Sequence, residues 1–143
     1  MTDIEKAKDI FEKGNYSCVL VRGDKIITST MTGVMPMLSF IDAKMDLKGF
    51  SVADKIVGKA AAMLFVVAGI QQVYGKTMSR KATAVLSENG IRCSYGILID
   101  EIVNRQGTGM CPMEKAVLAV SDPQQAPDVL SRTMMQLHAK SAT

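Results

Sequence analysis

Hydrophobic residues near the amino terminus recur with two different periods. Ile4, Ala7, Ile10 and Phe11 follow the spacing of one helical face, which predicts an amphipathic helix that ends at residues 14–15. Residues 18–21 and 26–28 are short β-type runs separated by a polar turn. This arrangement predicts a β-hairpin. Breaks at residues 33 and 36 then precede an apolar helix over about residues 37–43.

A longer apolar segment occupies the middle of the chain. Ser51 and Asp54 have the spacing of a capping box, with Asp in place of the usual Glu. We therefore predict one long helix that begins there, runs through Ala68 and ends at Gly69. The segment is apolar on nearly all sides beyond Ala60, so this helix should be central in the fold.

The second half alternates between strand-like and helix-like patterns. In order, these patterns predict a strand over residues 72–77, a helix over 79–88, strands over 91–95 and 97–103, and helices over about 111–120 and 126–137. Residues 139–143 are expected to be a loose tail. Strands that alternate with helices indicate an α/β sandwich around one sheet. With no repeat or linker, residues 1–143 are expected to form one domain.

Composition narrows the class of protein. The 143 residues are 48% apolar and 22% charged with a net charge of +3, and the absence of a basic run argues against nucleic-acid binding. Three widely spaced cysteines predict a reducing compartment. The amino terminus does not resemble a signal peptide, and the apolar run over residues 60–70 is too short to span a bilayer. We expect a cytoplasmic protein that does not bind membranes.

The segment over residues 105–115 carries the strongest candidate chemistry. Gly107 and Gly109 lead into a predicted helix start at Cys111, and Glu114 has the spacing of a capping box. Free N–H groups at such a start attract anions, a thiolate included. Cys111 is therefore a candidate nucleophile or redox thiol. The alternative interpretation is a capped surface helix with a half-buried cysteine, the glycines serving only to turn the chain.

Lys59 is a single charge among Gly and Ala residues on an otherwise apolar segment. Gly58 leaves room for close approach by a ligand, and Lys76 could add positive charge. The alternative is that Lys59 extends its charged end to solvent at the rim of the core, with Lys76 on the solvated surface and Asp54 capping a helix. The predicted ligand-binding residues are Asp54, Gly58, Lys59, Lys76, Arg105, Gly107, Thr108, Gly109 and Glu114.

The order of elements and residues 73–82, Val-Tyr-Gly-Lys-Thr-Met-Ser-Arg-Lys-Ala, resemble the cytidine-deaminase fold, in which such a strand leads into a P-C-x-x-C helix. Gly-Lys-Ala-Ala at residues 58–61 and Gly-Thr-Gly-Met-Cys-Pro-Met-Glu at residues 107–114 resemble an uncharacterised bacterial family assigned to that fold. The resemblance implies a three-layer α/β/α sandwich with added terminal helices.

The departures from active deaminases bear on function. Zinc deaminases need a His or Cys, two further cysteines and a Glu. The resemblance places Gly58 and Lys59 where the His and Glu would lie, and Ser79 and Ala82 at the two thiolate positions. A zinc site is therefore unsupported, and we predict neither zinc nor another cofactor.

Two classes of function remain. The first is a non-catalytic protein that binds an anionic small molecule, such as a nucleotide, in a degenerate deaminase cleft. The second is a cysteine-dependent enzyme or redox sensor that uses Cys111. A purely structural subunit is a third, weaker alternative. Because deaminase-like folds often pair and the helices are apolar, a homodimer is expected.

Overall fold

The computed structural model describes residues 1–142, and for residues 140–142 it describes the backbone only. Its sheet is mixed, in the order β2-β1-β3-β4-β5. The strands are β1 (Cys18–Arg22), β2 (Lys25–Ser29), β3 (Ser51–Val57), β4 (Gln72–Ser79) and β5 (Arg92–Ile99). Strand β1 is antiparallel to both β2 and β3, whereas β3, β4 and β5 are parallel. The carboxyl ends of the three parallel strands therefore lie side by side at one end of the sheet.

In the described residues, six helices accompany the sheet. They are α1 (Asp3–Lys13), α2 (Met35–Asp42), α3 (Lys59–Ala68), α4 (Arg80–Glu88), α5 (Pro112–Ala116) and α6 (Ala126–Ala142), with a 3-10 turn at Pro123–Gln125. The predictions of the first helix, the hairpin, the short second helix and the Ser79-capped helix are confirmed. Within the described part of the chain, no helix has both the length and the apolar character needed to cross a membrane.

The helices cover the two faces of the sheet unequally. Helix α1 packs on one face, where Phe11 lies against Val19, Ala53 and Tyr74. The larger cluster on the other face includes side chains from the five remaining helices. Helix α3 lies in the middle of that cluster, with Ala62, Leu64 and Phe65 fully shielded from solvent. The expectation of a central apolar helix is confirmed.

The predicted start of that helix was wrong. Residues 51–57 form strand β3 between β1 and β4, and the helix begins after Gly58. Ser51 and Asp54 do not cap a helix. The sequence of a strand that is covered on both faces is a nearly continuous apolar run, and hydrophobic periodicity does not distinguish such a run from a buried helix.

The elements after residue 90 also differ from the expectation. Residues 92–99 form one strand instead of two, because Gly96 lies within β5 rather than at a break. A Cβ at Gly96 would lie 2.8 Å from the carbonyl oxygen of Lys76, so this glycine permits a close approach of two backbones. Helix α5 ends at Ala116, and α6 continues through Ala142 into the predicted tail. Thr143 lies outside the described residues.

The three parallel strands share an irregularity. The register pairs Asp54 with Gly75 and resumes at Ile56 with Thr77, and β5 follows the same pattern. Residues 55, 76 and 96 fall between the paired positions. Val52 and Val57 both face the larger core although they are five positions apart, an odd spacing that would place them on opposite faces of a regular strand. The strands therefore exchange faces here, which leaves Ile56 and Ile97 exposed.

Candidate functional site

The carboxylate of Glu114 caps helix α3 from a distance of more than fifty residues in sequence. Its Oε1 accepts a hydrogen bond from the backbone N–H of Lys59 at 2.8 Å, and its Oε2 accepts one from the N–H of Ala60 at 2.8 Å. The side chain is only 8% exposed. Two of the unpaired N–H groups at the start of α3 are thus satisfied by a negative charge, which the helix dipole also favours.

Gly58 makes room for this contact. The residue caps α3 in an extended conformation and supplies no side chain. A Cβ at this position would overlap the carboxylate of Glu114 and lie 2.8 Å from Cγ1 of Ile102. The space that the sequence analysis assigned to a ligand beside Gly58 is therefore filled by Glu114 and Ile102. The predicted capping box at residues 111–114 was wrong, because Glu114 caps another helix.

Lys59 links the start of α3 to the segment after α5. Its side chain is half-buried, and Nζ donates a hydrogen bond to the carbonyl oxygen of Leu118 at 3.3 Å. This backbone contact leaves the remaining two ammonium protons of Lys59 for other acceptors.

A small cavity lies at the carboxyl ends of β4 and β5, between the starts of α3 and α4. Its volume is about 10 Å³, enough for about one water molecule. Its lining consists of Lys59, Ser79, Lys81, Asp100, Glu101, Met110, Glu114 and Leu118. Of the ligand-binding residues predicted from sequence, Lys59 and Glu114 line it. In parallel α/β sheets this end of the strands is where ligands bind.

Charges of both signs surround the cavity. Lys59 and Lys81 supply positive charge, whereas Glu101 and Asp100 supply negative charge. Asp100 also accepts a hydrogen bond from Nε of Arg80 at 2.9 Å, in an ion pair open to solvent. Sequence reasoning did not single out the two acids. The predicted strand over residues 97–103 hid the signal, because the strand ends at Ile99 and acids directly after a parallel strand lie where ligands bind.

The glycine-bearing loop lies outside the cavity lining. Asn104 holds it as a turn, accepting a hydrogen bond from the Thr108 N–H through its side chain and one from the Gly107 N–H through its carbonyl. Gly107 has a φ of +70°, which favours glycine. Arg105 is exposed, and Gly109 lies just before the Met110 that lines the cavity. The geometry matches the interpretation in which the glycines turn the chain.

Cys111 is a free, half-buried thiol at the start of the five-residue helix α5. Its side chain makes no capping hydrogen bond and packs against the larger core. It lies outside the cavity lining, so a catalytic role for Cys111 stays a prediction.

Asp54 and Lys76 lie away from the cavity lining. Lys76 is exposed on β4, whereas Asp54 is buried in the middle of the sheet opposite Cys18. Burial raises the pKa of Asp54 to about 7, although the backbone N–H groups of Lys55 and Ile56 oppose the shift. Burial first, and the charge of Asp54 second, raise the pKa of Cys18. Asp54 is therefore a sheet residue rather than a helix cap.

Among the residues that the structure describes, no three His, Cys, Asp or Glu side chains lie close enough together to hold a metal ion. Lys59 and Ser79, two of the four residues that the deaminase resemblance places at the zinc site, line one cavity. Neither is a metal ligand of the kind zinc prefers.

Comparisons with known proteins identify related chains. A family model described as "TM1506: Domain of unknown function (DUF1893)" matches residues 6–134. The crystal structure of a DUF1893 family protein (TM1506) from Thermotoga maritima is similar, with a TM-score of 0.80 and 30% sequence identity over 94% of this chain and 89% of that chain. No curated protein matches the sequence. The range that the family model matches contains every residue that lines the cavity.

Removing the Glu114 carboxylate should destabilise the protein strongly. We expect Glu114→Ala to lower the free energy of unfolding by roughly 2–4 kcal/mol, because two charge-assisted hydrogen bonds are lost and the N–H groups of Lys59 and Ala60 are left unpaired. Chemical denaturation measures the change. The matched control is Glu101→Ala, an exposed acid at the same cavity, which should change the free energy by less than about 0.5 kcal/mol.

A second substitution separates capping from general packing. Gly58→Ala alone should lower the free energy of unfolding severely, because the new Cβ overlaps the Glu114 carboxylate. In the Glu114→Ala background this overlap is gone, and the same substitution should lower the free energy of unfolding by at least about 1 kcal/mol less. Equal costs in the two backgrounds would show that Glu114 does not occupy this space.

The buried Asp54 should make stability depend on pH. Its pKa in the folded protein, about 7, lies above its ordinary value of 3.8, so folding favours the protonated acid. The stabilisation is complete below the ordinary pKa and is lost as the pH rises through 7, by up to about 4 kcal/mol. We expect Asp54→Asn to remove this loss, as measured by urea denaturation across the same pH range. The exposed control Asp24→Asn should keep the wild-type dependence of stability on pH. If Asp54→Asn also keeps that dependence, the carboxyl group of Asp54 is ionised in the folded protein at its ordinary pKa and the prediction fails.

Proposed function

This chain belongs to the DUF1893 family, and we propose that it is a non-catalytic cytoplasmic protein that binds a small phosphorylated molecule at the cavity beside Lys59. The observation that carries the proposal is the meeting of Lys59 and Lys81 with Asp100 and Glu101, beside the Glu114 cap, at the carboxyl ends of parallel strands. A phosphate is the anionic group that two ammonium groups would hold. Carboxylates accept hydrogen bonds, so the rest of the ligand should offer hydroxyl or amino groups. A nucleotide or a sugar phosphate has this combination.

We propose further that the fold is cytidine-deaminase-like. Helices cover both faces of a five-stranded sheet with three parallel strands, and α3 and α4 both begin at the cavity end of that sheet. The residues that the resemblance places at the lost zinc ligands lie at the starts of these two helices, and Lys59 and Ser79 among them line one cavity. The cavity would then be the remnant of a deaminase active site.

The Glu114 carboxylate limits how the ligand can bind. It already takes the two N–H groups at the start of α3, so a phosphate would be repelled from that position. The ligand is instead expected to contact the side chains of Lys59 and Lys81 at the rim. The cavity holds only about one water molecule, so binding requires Met110 and Leu118 to move outward. Both lie on the segment that follows β5 rather than on the sheet.

The alternative function, a cysteine enzyme or redox sensor, receives less support. Cys111 packs against the core and does not line the cavity. Free Cys18 and Cys93 have pKa values raised by burial, which makes them poor nucleophiles at neutral pH. A reducing compartment, as expected from sequence, is consistent with three free thiols.

Ligand binding can be tested by thermal shift with a panel of nucleoside monophosphates, nucleoside diphosphates and sugar phosphates. A compound present at about 100 times its Kd should add about 2.7 kcal/mol of stability. Lys59→Met and Lys81→Met should each weaken binding by roughly 10- to 100-fold, the effect of one lost charge-assisted hydrogen bond.

The control is Lys76→Met, which removes an exposed lysine of β4 outside the cavity lining. Its affinity should remain that of the wild type. A panel without a single stabilising compound would refute phosphorylated-ligand binding. Equal losses in all three lysine variants would show that net charge, and not this cavity, determines the affinity.

A further inference from the structure

Strand β5 is an open edge of the sheet. It is eight residues long and contains neither proline nor lysine. Along its length no residue is fully buried, and Tyr95 and Ile97 are 44% and 62% exposed. Long apolar edges of this kind offer unpaired N–H and C=O groups to another strand, and natural proteins usually shorten, charge or cover them.

The other edge is protected in the usual way. Strand β2 has only five residues and begins with Lys25, which follows the tight turn at Gly23. Short length and a lysine both discourage pairing with a further strand. The difference between the two edges singles out β5 as the edge that a partner would cover.

The charges at the two ends of β5 are opposite. Arg92 begins the strand, whereas Asp100 and Glu101 follow its last residue, Ile99. Arg92 is exposed, and the side chain of Asp100 is 90% exposed. A parallel copy of the strand would bring like charges together. An antiparallel copy places the basic end of each strand beside the acidic end of the other, which is the arrangement that a two-fold axis generates.

We propose that β5 pairs antiparallel with β5 of a second copy of this chain, so that the two sheets join into one of ten strands. Two ion pairs would form, each between Arg92 of one subunit and Glu101 of the other, next to the exposed ion pair that Asp100 already makes with Arg80 of its own chain. Near the two-fold axis, Tyr95 would lie against Tyr95 of the second copy on one face of the sheet, and Ile97 against Ile97 on the other face, because the strands exchange faces at residue 96. Aromatic and β-branched pairs of this kind stabilise adjacent antiparallel strands.

The pairing has a consequence for the cavity. Asp100 and Glu101 line it, so the partner's Arg92 would add positive charge at its rim. This consequence rests on the proposed function, whereas the pairing itself is measured without any ligand.

Sedimentation equilibrium of charge variants tests the pairing. The wild type is expected at twice the 15.4 kDa of one chain. Arg92→Glu makes both ends of β5 acidic, and Asp100→Arg with Glu101→Arg makes both ends basic. Each variant alone should dissociate at least about 100-fold more readily, because like charges face each other across the axis. Mixing the two should restore a dimer that contains one copy of each.

Two further variants test whether the subunits stay folded when the dimer is lost, and whether β5 rather than β2 forms the interface. Ile97→Lys places a charge on an exposed position of the edge and should give a folded monomer, verified by an unchanged circular dichroism spectrum. Lys25→Glu on the β2 edge should remain dimeric. A monomeric wild type would overturn the proposal. So would a wild-type dimer whose two charge variants stay dimeric alone, or fail to pair when mixed.

Discussion

The contact between Glu114 and the start of α3 determines the geometry of the whole cavity end of the molecule. It joins the central helix to a segment that comes more than fifty residues later. Because α5 has only five residues, its own hydrogen bonds would not hold it in place. The carboxylate therefore fixes the position of α5, and through Lys59 and Leu118 it fixes the turn that follows.

The same contact changes how the ligand site should be understood. A helix start with free N–H groups is an anion site, yet here the chain provides the anion itself. Gly58 is then explained by the side chain that lies against it rather than by a missing ligand. What remains for a ligand is the ring of charged side chains around the cavity. The proposed phosphate contacts follow from that ring, and the mixed charges argue against a site for a simple anion.

Local signals predicted a large part of this fold. The helix of Ile4 and Phe11, the hairpin, and the Ser79 cap all depend on residues close in sequence, and all were predicted from it. The start of α3 was missed because buried strand β3 has the apolar density of a helix and carries Ser51 and Asp54 at capping spacing. The partner of Glu114 was missed for another reason: residues 55 positions apart in sequence meet only through the tertiary fold. Lys59, which lines the cavity, could be singled out from sequence because a single charge on an apolar segment is visible without that knowledge.

The face exchange at residues 55, 76 and 96 connects the core, the cavity and the edge. Before it, the outer face of the sheet is covered by α1 through Ala53 and Tyr74. After it, Val57 and Met78 turn into the larger core, and Ile56 and Ile97 turn outward beyond the cover of that helix. The exchange lets β4 end in a buried Ser79 that caps α4 beside the cavity. It also leaves apolar side chains exposed on β5, the strand with an unpaired edge. A single irregularity that three strands share thus produces both the cavity end of the sheet and the surface proposed to pair.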